Sequence, residues 1–226
     1  IEDSTCDIRA ESLCVNLGGG MDFQLIFQGG EGQERHAVTL QVPGRHNVLN
    51  ALGAFGAANC LGLDRAAVAS ALAEFKGSER RFDIRGEWAG VMLVDDYGHH
   101  PTEIAATLAA ARAAYPERYI RAVWQPHTYS RTTTLIENFA AAFGDADQVI
   151  VLSVYEAREK QPAGFSIEEL VSRIDHANTL YLPGNDRAAE YLEAELKDGD
   201  LLLVFSAGDA IEINDRIEQV LSSRSS

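Results

Sequence analysis

Between Cys6 and Val42 apolar and polar residues alternate over short spans, as in Phe23-Gln24-Leu25-Ile26-Phe27 and His36-Ala37-Val38-Thr39-Leu40-Gln41-Val42. Gly18-Gly19-Gly20 and Gly29-Gly30 separate the runs. A period of two broken by glycines predicts antiparallel strands and turns. After Pro43-Gly44 the period becomes helical. Val48, Leu49, Leu52, Phe55 and Gly56 share one face, Gly62 closes the segment, and a second helix is predicted over Arg65 to Phe75. Lys76 to Phe82 is charged, contains Gly77 and Ser78, and is read as a linker.

Beyond Asp83 the texture changes. The run Val91-Met92-Leu93-Val94 leads into a helix striped by Ile104, Leu108, Ala111 and Tyr115. Ile120 to Trp124 then precedes a helix from Thr133 to Phe143, and Val149 to Leu152 precedes one from Ile167 to Ile174. Thr179 to Leu182 precedes a helix from Arg187 to Leu196, and Leu201 to Phe205 one from about Ala210 to Leu221. Five strand-helix repeats predict a doubly wound, mainly parallel α/β sheet, because parallel strands need crossovers. The expected division is residues 1–82 and 83–226. In such sheets ligands bind beyond the carboxyl ends of the strands, so the residues after each apolar run are the first candidates for chemistry.

Composition narrows the classes. The 226 residues suit one large domain or two small ones, and a hydrophobic share of 46% excludes a disordered or fibrous chain. A formal net charge of -15 opposes general binding to nucleic acid, while leaving room for a local anion pocket. Cys6, Cys14 and Cys60 are odd in number and irregularly spaced, which argues against a disulfide framework or zinc knuckle and favours a reducing cytoplasm. The uncharged stretch from Asn47 to Leu63 is too short and polar to span a bilayer, so no membrane role is expected. The chain opens Ile1-Glu2-Asp3 without an initiator Met or a secretory leader, and is expected to be an excised piece of a longer protein.

Four places stand out chemically. Asp95-Asp96-Tyr97-Gly98-His99-His100-Pro101-Thr102-Glu103 follows the first strand of the α/β part. Pro and Glu suit a helix start, yet two carboxylates and two imidazoles exceed what a cap needs. Gln125-Pro126-His127-Thr128-Tyr129-Ser130-Arg131-Thr132 follows the next strand; Arg131 can grip a carboxylate or phosphate with two prongs, or be a surface Arg beside a Ser130 or Thr132 cap. Asn47 and Asn50 lie one turn apart at a helix start, where an amide can cap the helix or, as a pair, read a base or sugar. Arg80-Arg81 in the linker is either solvated or within reach of a phosphate. Ser206-Ala207-Gly208-Asp209 reads as a tight turn into the last helix, and no GxxxxGK[ST] phosphate loop occurs in the chain.

Val42 to Ala51, Arg80 to Asp83, Asp95 to Glu103, Gln125-Pro126-His127 with Tyr129 to Thr132, and Ala207-Gly208-Asp209, in that order, resemble the ATP-dependent Mur ligases. The resemblance implies that residues 1–82 are the last part of a central ATP-binding domain and residues 83–226 a carboxyl-terminal Rossmann-like domain. It places the phosphate loop and the Mg2+ ligands upstream, with no metal ligand in this chain, which is then expected to be inactive alone. It implies an amide-bond-forming enzyme of peptidoglycan synthesis in the cytoplasm, joining L-alanine to UDP-N-acetylmuramate through an acyl phosphate. Asn47 and Asn50 would contact adenine, Arg81 the ATP phosphates and Asp96 the ribose. Tyr97, His99, His127 and Arg131 would line the site for the alanine and the muramoyl carboxylate, and Arg81, His99, His127 and Arg131 would serve the reaction. The upstream domains are the expected partners, and a homodimer is left open. Two positions depart from the family pattern, which usually has Arg where Thr128 stands and a GAG turn where Ser206-Ala207-Gly208 stands.

Three other readings use the same residues. A murein tripeptide recycling ligase shares the Asp-Asp-aromatic-x-His-His-Pro run. A metal-dependent hydrolase could use Asp95, Asp96, His99 and His100 as ligands. A non-catalytic α/β binding module could retain the motifs without turnover.

Overall fold

The computed structural model describes residues 1–30 and 32–224. It divides into two compact units, Ile1–Gly77 with Ala113–Tyr115, and Ser78–Arg112 with Pro116 onward. The changeover at Gly77 puts Ser78 to Phe82, read from sequence with the first part, in the second unit.

In the first unit β1 (Ile8–Val15), β2 (Met21–Gly29) and β3 (Gly32–Leu40) form an antiparallel meander. Helices α1 (Arg45–Cys60) and α2 (Arg65–Leu72) follow. The sheet's apolar face, with Ala10, Phe23, Leu25, Val38 and Leu40, packs with Val48, Leu52 and Phe55 of α1. Leu49, expected on that face, is 53% exposed; Ala51 takes the inward place instead. A helical stripe advances by three and four residues, so 48, 51, 52 and 55 line up and 49 falls outside.

The second unit holds a six-stranded sheet in the order β4-β5-β9-β6-β7-β8: β4 (Asp83–Trp88), β5 (Val91–Asp96), β6 (Tyr119–Trp124), β7 (Gln148–Val151), β8 (Thr179–Tyr181) and β9 (Asp200–Phe205). All pairs are parallel except β4 with β5. Strand β4 was not predicted: Ile84-Arg85-Gly86-Glu87-Trp88 alternates only briefly, breaks register at Gly86 and leaves Ile84 45% exposed, as an edge strand can.

The crossovers are α3 (Pro101–Ala114), α4 (Tyr129–Thr134), α5 (Ile136–Ala140), α6 (Ile167–Arg173) and α7 (Asn185–Glu195); α8 (Glu212–Arg224) follows β9. The single helix predicted over Thr133 to Phe143 is instead two short ones that break at Leu135, whose φ of -107° and ψ of 19° lie off the helix. The β-branched run Thr132-Thr133-Thr134 before the break favours helix only weakly.

Steps from β5 to β6, β7 and β8 run one way across the sheet, whereas β8 to β9 runs back. Right-handed crossovers therefore put α3 to α6 on one face and α7 on the other. The α7 face carries one core, in which Leu93, Val123, Ile150, Leu202 and Val204 meet Ala188, Leu192, Ile213 and Ile217. Strand β9 sends the chain to α8, while its neighbours β5 and β6 send theirs to α3 and α4. The sheet thus has its topological switch at the carboxyl ends of these three strands.

Candidate functional site

Three of the stretches picked out by sequence meet at that switch: Asp96 to Glu103 after β5, Gln125 to Arg131 after β6, and Ser206 to Asp209 after β9. Asp95 and Asp96 do not act together. Successive strand residues face opposite ways, and Asp95 turns toward α8, accepting from Asn214 Nδ2 at 2.7 Å and pairing with Arg85 at 3.5 Å. Asp96 turns the other way and is 3% exposed. It accepts from Phe82 N at 2.9 Å, Gly98 N at 2.6 Å and Thr107 Oγ1 at 3.4 Å. Burial pushes both carboxyls above their ordinary value; Asn214 and Arg85 oppose this for Asp95, and the two backbone N–H groups for Asp96. This divergence removes the metal-hydrolase reading of Asp95, Asp96, His99 and His100. Among the described residues no three His, Cys, Asp or Glu are grouped to hold a metal ion.

The segment before β4 is anchored to these strand ends. Arg80 donates from Nη2 to Ser206 O at 2.6 Å, lies 4.8 Å over the Tyr97 ring, and accepts at its carbonyl from Tyr97 N at 2.6 Å. Arg81 stands 5.6 Å from the same ring and donates to Glu103 Oε1 at 3.3 Å. Arg80 and Phe82 both adopt positive φ, 57° and 45°, so the turn is held by these bonds against its intrinsic preference.

His99 and His127 are brought side by side, with ring centres 5.9 Å apart. His99 Nδ1 lies 2.9 Å from Tyr97 O. A carbonyl only accepts, so Nδ1 carries the proton and Nε2 of the neutral ring is an acceptor. Arg131 Nη1 donates to His127 Nδ1 at 3.2 Å, which leaves the proton of the neutral His127 ring on Nε2. Burial, then Arg131 and His99, push His127 below its ordinary 6.5, so it is neutral at neutral pH.

Residues not singled out from sequence brace this stretch. Tyr155 stacks on His127 at 5.6 Å and pairs with it as a parallel bridge. Tyr129 donates to Glu156 at 2.8 Å, and its hydroxyl is pushed up to about 12 by burial and by that carboxylate. Glu159 accepts from Ser130 N at 2.8 Å and from the Ser130 hydroxyl. Tyr155 and Glu156 follow β7, so the rule that put weight on strand ends was the signal that could have found them. Thr128, at φ 67°, is the turn before α4, and its carbonyl accepts from Thr132 Oγ1 at 2.7 Å.

The turn after β9 is closely fitted. Ser206 is fully buried; its hydroxyl donates to Gln125 Oε1 at 2.7 Å and accepts from Gly208 N at 3.0 Å. A Cβ on Gly208 would lie 2.6 Å from both Gln125 Oε1 and the Tyr155 ring. Gln125 Nε2 donates to Asp209 at 2.7 Å. An open cleft of about 450 Å³ runs alongside, lined by Gln125, Ser153, Tyr155, Glu156, Asn185 and Asp209 among others.

In the first unit, Asn47 Nδ2 donates to Pro43 O at 2.8 Å and Asn50 Nδ2 to Asn47 Oδ1 at 3.2 Å, chaining the two amides at the start of α1. Asn47 is half-buried and Asn50 exposed.

Residues 80–208 match the family model described as "Mur ligase, glutamate ligase domain". The chain is 40% identical over 228 residues to the UDP-N-acetylmuramate--L-alanine ligase of Thermobifida fusca, covering 97% of this chain and 48% of that protein. It is 45% identical over 177 residues to the enzyme of the same name from Roseiflexus castenholzii, covering 78% and 37%. The chain thus spans about half the length, or less, of the curated relatives it matches. Among solved structures, the UDP-N-acetylmuramate-alanine ligase of Thermotoga maritima superposes with a TM-score of 0.77 at 28% identity, over 96% of this chain and 46% of that one. A murein peptide ligase from Psychrobacter arcticus gives 0.65 at 26% identity, over 98% and 45%.

Proposed function

The chain belongs to the Mur ligase family, and on that premise we propose that it serves as part of an ATP-dependent ligase that joins L-alanine to UDP-N-acetylmuramate in peptidoglycan synthesis. The observation that carries the reading is the meeting of His99, His127 and Arg131 at the switch point, with Arg81 on the adjoining turn. ATP, when bound, would supply the phosphoryl group that activates the muramoyl carboxylate.

Arg81 suits the phosphates: Glu103 engages Nη1, and the guanidinium fork has further donors on Nη2 and Nε. Asp96 suits a ribose less directly, since a sugar hydroxyl would have to share oxygens already bonded to Phe82 N and Gly98 N. Asn47 and Asn50 are assigned the adenine on the motif they share with the family. Arg131 would grip the acceptor carboxylate, with His127 Nδ1 fixing its fork. His99 Nε2, the acceptor nitrogen of its ring, would take the proton that the alanine amine must lose, and Tyr97 would flank that amine. The Mg2+ ligands are assigned to upstream sequence on the family resemblance alone, and no step here runs through the metal. Three exposed, unpaired thiols support a reducing cytoplasm, and no helix among the described residues is long and apolar enough to cross a membrane.

The test is phosphate release by the complete protein with ATP, Mg2+, UDP-N-acetylmuramate and L-alanine. Release that depends on all of them is expected, with Arg131→Ala lowering kcat/KM about 100-fold, as for loss of one charge-stabilising donor. Release with murein tripeptide and not with L-alanine would move the protein to the recycling ligases. No release with either would overturn the reading.

A further inference from the structure

Among the described residues, Glu103 is the one carboxylate that touches both the cation assigned to the phosphates and the loop assigned to the amino acid. Its Oε2 accepts from His99 N at 3.1 Å and His100 N at 3.2 Å, and lies 3.9 Å from His99 Nδ1. Its Oε1 accepts from Arg81 Nη1 at 3.3 Å. A helix-capping Glu needs only the bond to the N–H of the capping residue, here His100. The bonds to His99 N and Arg81 go beyond capping, and they come from opposite sides of the site: one from the turn before β4, the other from the loop after β5.

We propose that Glu103 is a positioning residue that couples the two substrate sites, one oxygen setting the His99–His100 backbone and the other setting the direction of the Arg81 guanidinium. With Nη1 tied to Glu103, the Arg81 fork is fixed against the Tyr97 ring 5.6 Å away, and its other donors point in a defined direction. With His99 N and His100 N tied to the same side chain, the ring of His99 keeps its place beside His127. The inference rests on the ligase reading, and its two halves separate by substitution. Glu103→Gln keeps a carbonyl oxygen, which goes to the two backbone N–H groups, and turns an amide NH2 toward Arg81, where it cannot accept. Glu103→Ala removes both oxygens.

In the complete protein, Glu103→Gln should raise KM for ATP about fivefold and leave KM for L-alanine within about twofold, the size expected from loss of one half-exposed ion pair. Glu103→Ala should raise both. Amide hydrogen exchange checks the backbone half without turnover: His99 and His100 should keep their protection in Glu103→Gln and lose it in Glu103→Ala. If both variants lower only the thermal midpoint and leave both KM values unchanged, Glu103 is a helix cap and the proposal falls. If Glu103→Gln moves both KM values alike, the division between the oxygens is wrong. A lack of turnover by the unaltered protein would instead refute the ligase reading, while the exchange pattern would still decide the backbone half.

Discussion

Strand β5 ends in two adjacent aspartates that the fold treats in opposite ways. Asp95, on the α8 side, is held by side chains: Asn214 donates to it, and Arg85 is shared with Asp215 at 2.6 Å and Glu218 at 3.0 Å. Asp96, on the α3 side, is held mainly by backbone, at Phe82 N and Gly98 N. The first ties the edge strand β4 and helix α8 to the sheet. The second fixes the turn that carries Arg80 and Arg81 to the loop that carries Tyr97 and His99. Identical neighbours thus serve architecture on one face and the candidate site on the other.

The largest effect is expected for Asp96→Ala. It leaves two backbone N–H groups without their acceptor, and should cost about 3 kcal/mol in denaturant unfolding. A loss below about 1 kcal/mol would mean that the turn does not depend on this carboxylate. Asp95→Ala should cost less, about 2 kcal/mol, because Arg85 keeps Asp215 and Glu218 and Asn214 still donates to Val94 O at 3.1 Å. An equal or larger loss than for Asp96→Ala would invert the comparison.

A smaller effect lies in the pH profile. Both aspartates are shifted above the ordinary 3.8 by burial. The pH-dependent part of the stability each contributes is therefore full below that value and is lost as pH rises through the folded value. Glu103 runs the other way: bonds from His99 N, Arg81 and His100 N outweigh burial and hold it below 4.5, so its contribution is present above that value and lost as pH falls. The difference in unfolding free energy between the parent and Asp96→Asn should grow in the parent's favour as pH falls from neutral toward 4. The corresponding difference for Glu103→Gln should shrink as pH falls below 4.5. Matching slopes of one sign would remove the distinction.

Much of this was legible before any coordinates. The alternation from Phe23 to Val42 predicts β2 and β3, and the apolar runs ending at Val94, Trp124, Leu152, Leu182 and Phe205 each predict a parallel strand; β5, β6, β7 and β9 are largely buried, as continuous apolar runs imply, whereas β8 at the sheet edge is half-buried. Strand β4 and the break at Leu135 were not legible. The first is charged at Asp83, Arg85 and Glu87 and breaks register at Gly86, and the second is marked only by the weak helix preference of Thr132 to Thr134. The candidate site was legible in part: His99, His127 and Arg131 stand at strand ends, as does Tyr155, whereas Glu159 gains its place only from the packing of the loop after β7 against the start of α4.

Sequence alone determined the class of fold, the mainly parallel sheet and the stretches that carry chemistry, because each is set by local period and by residue type. Tertiary structure alone decided which of those residues meet. The insertion of β9 between β5 and β6 brings Ser206 beside Arg80 and Gln125. No spacing along the chain encodes these contacts, since they join residues as much as 126 positions apart.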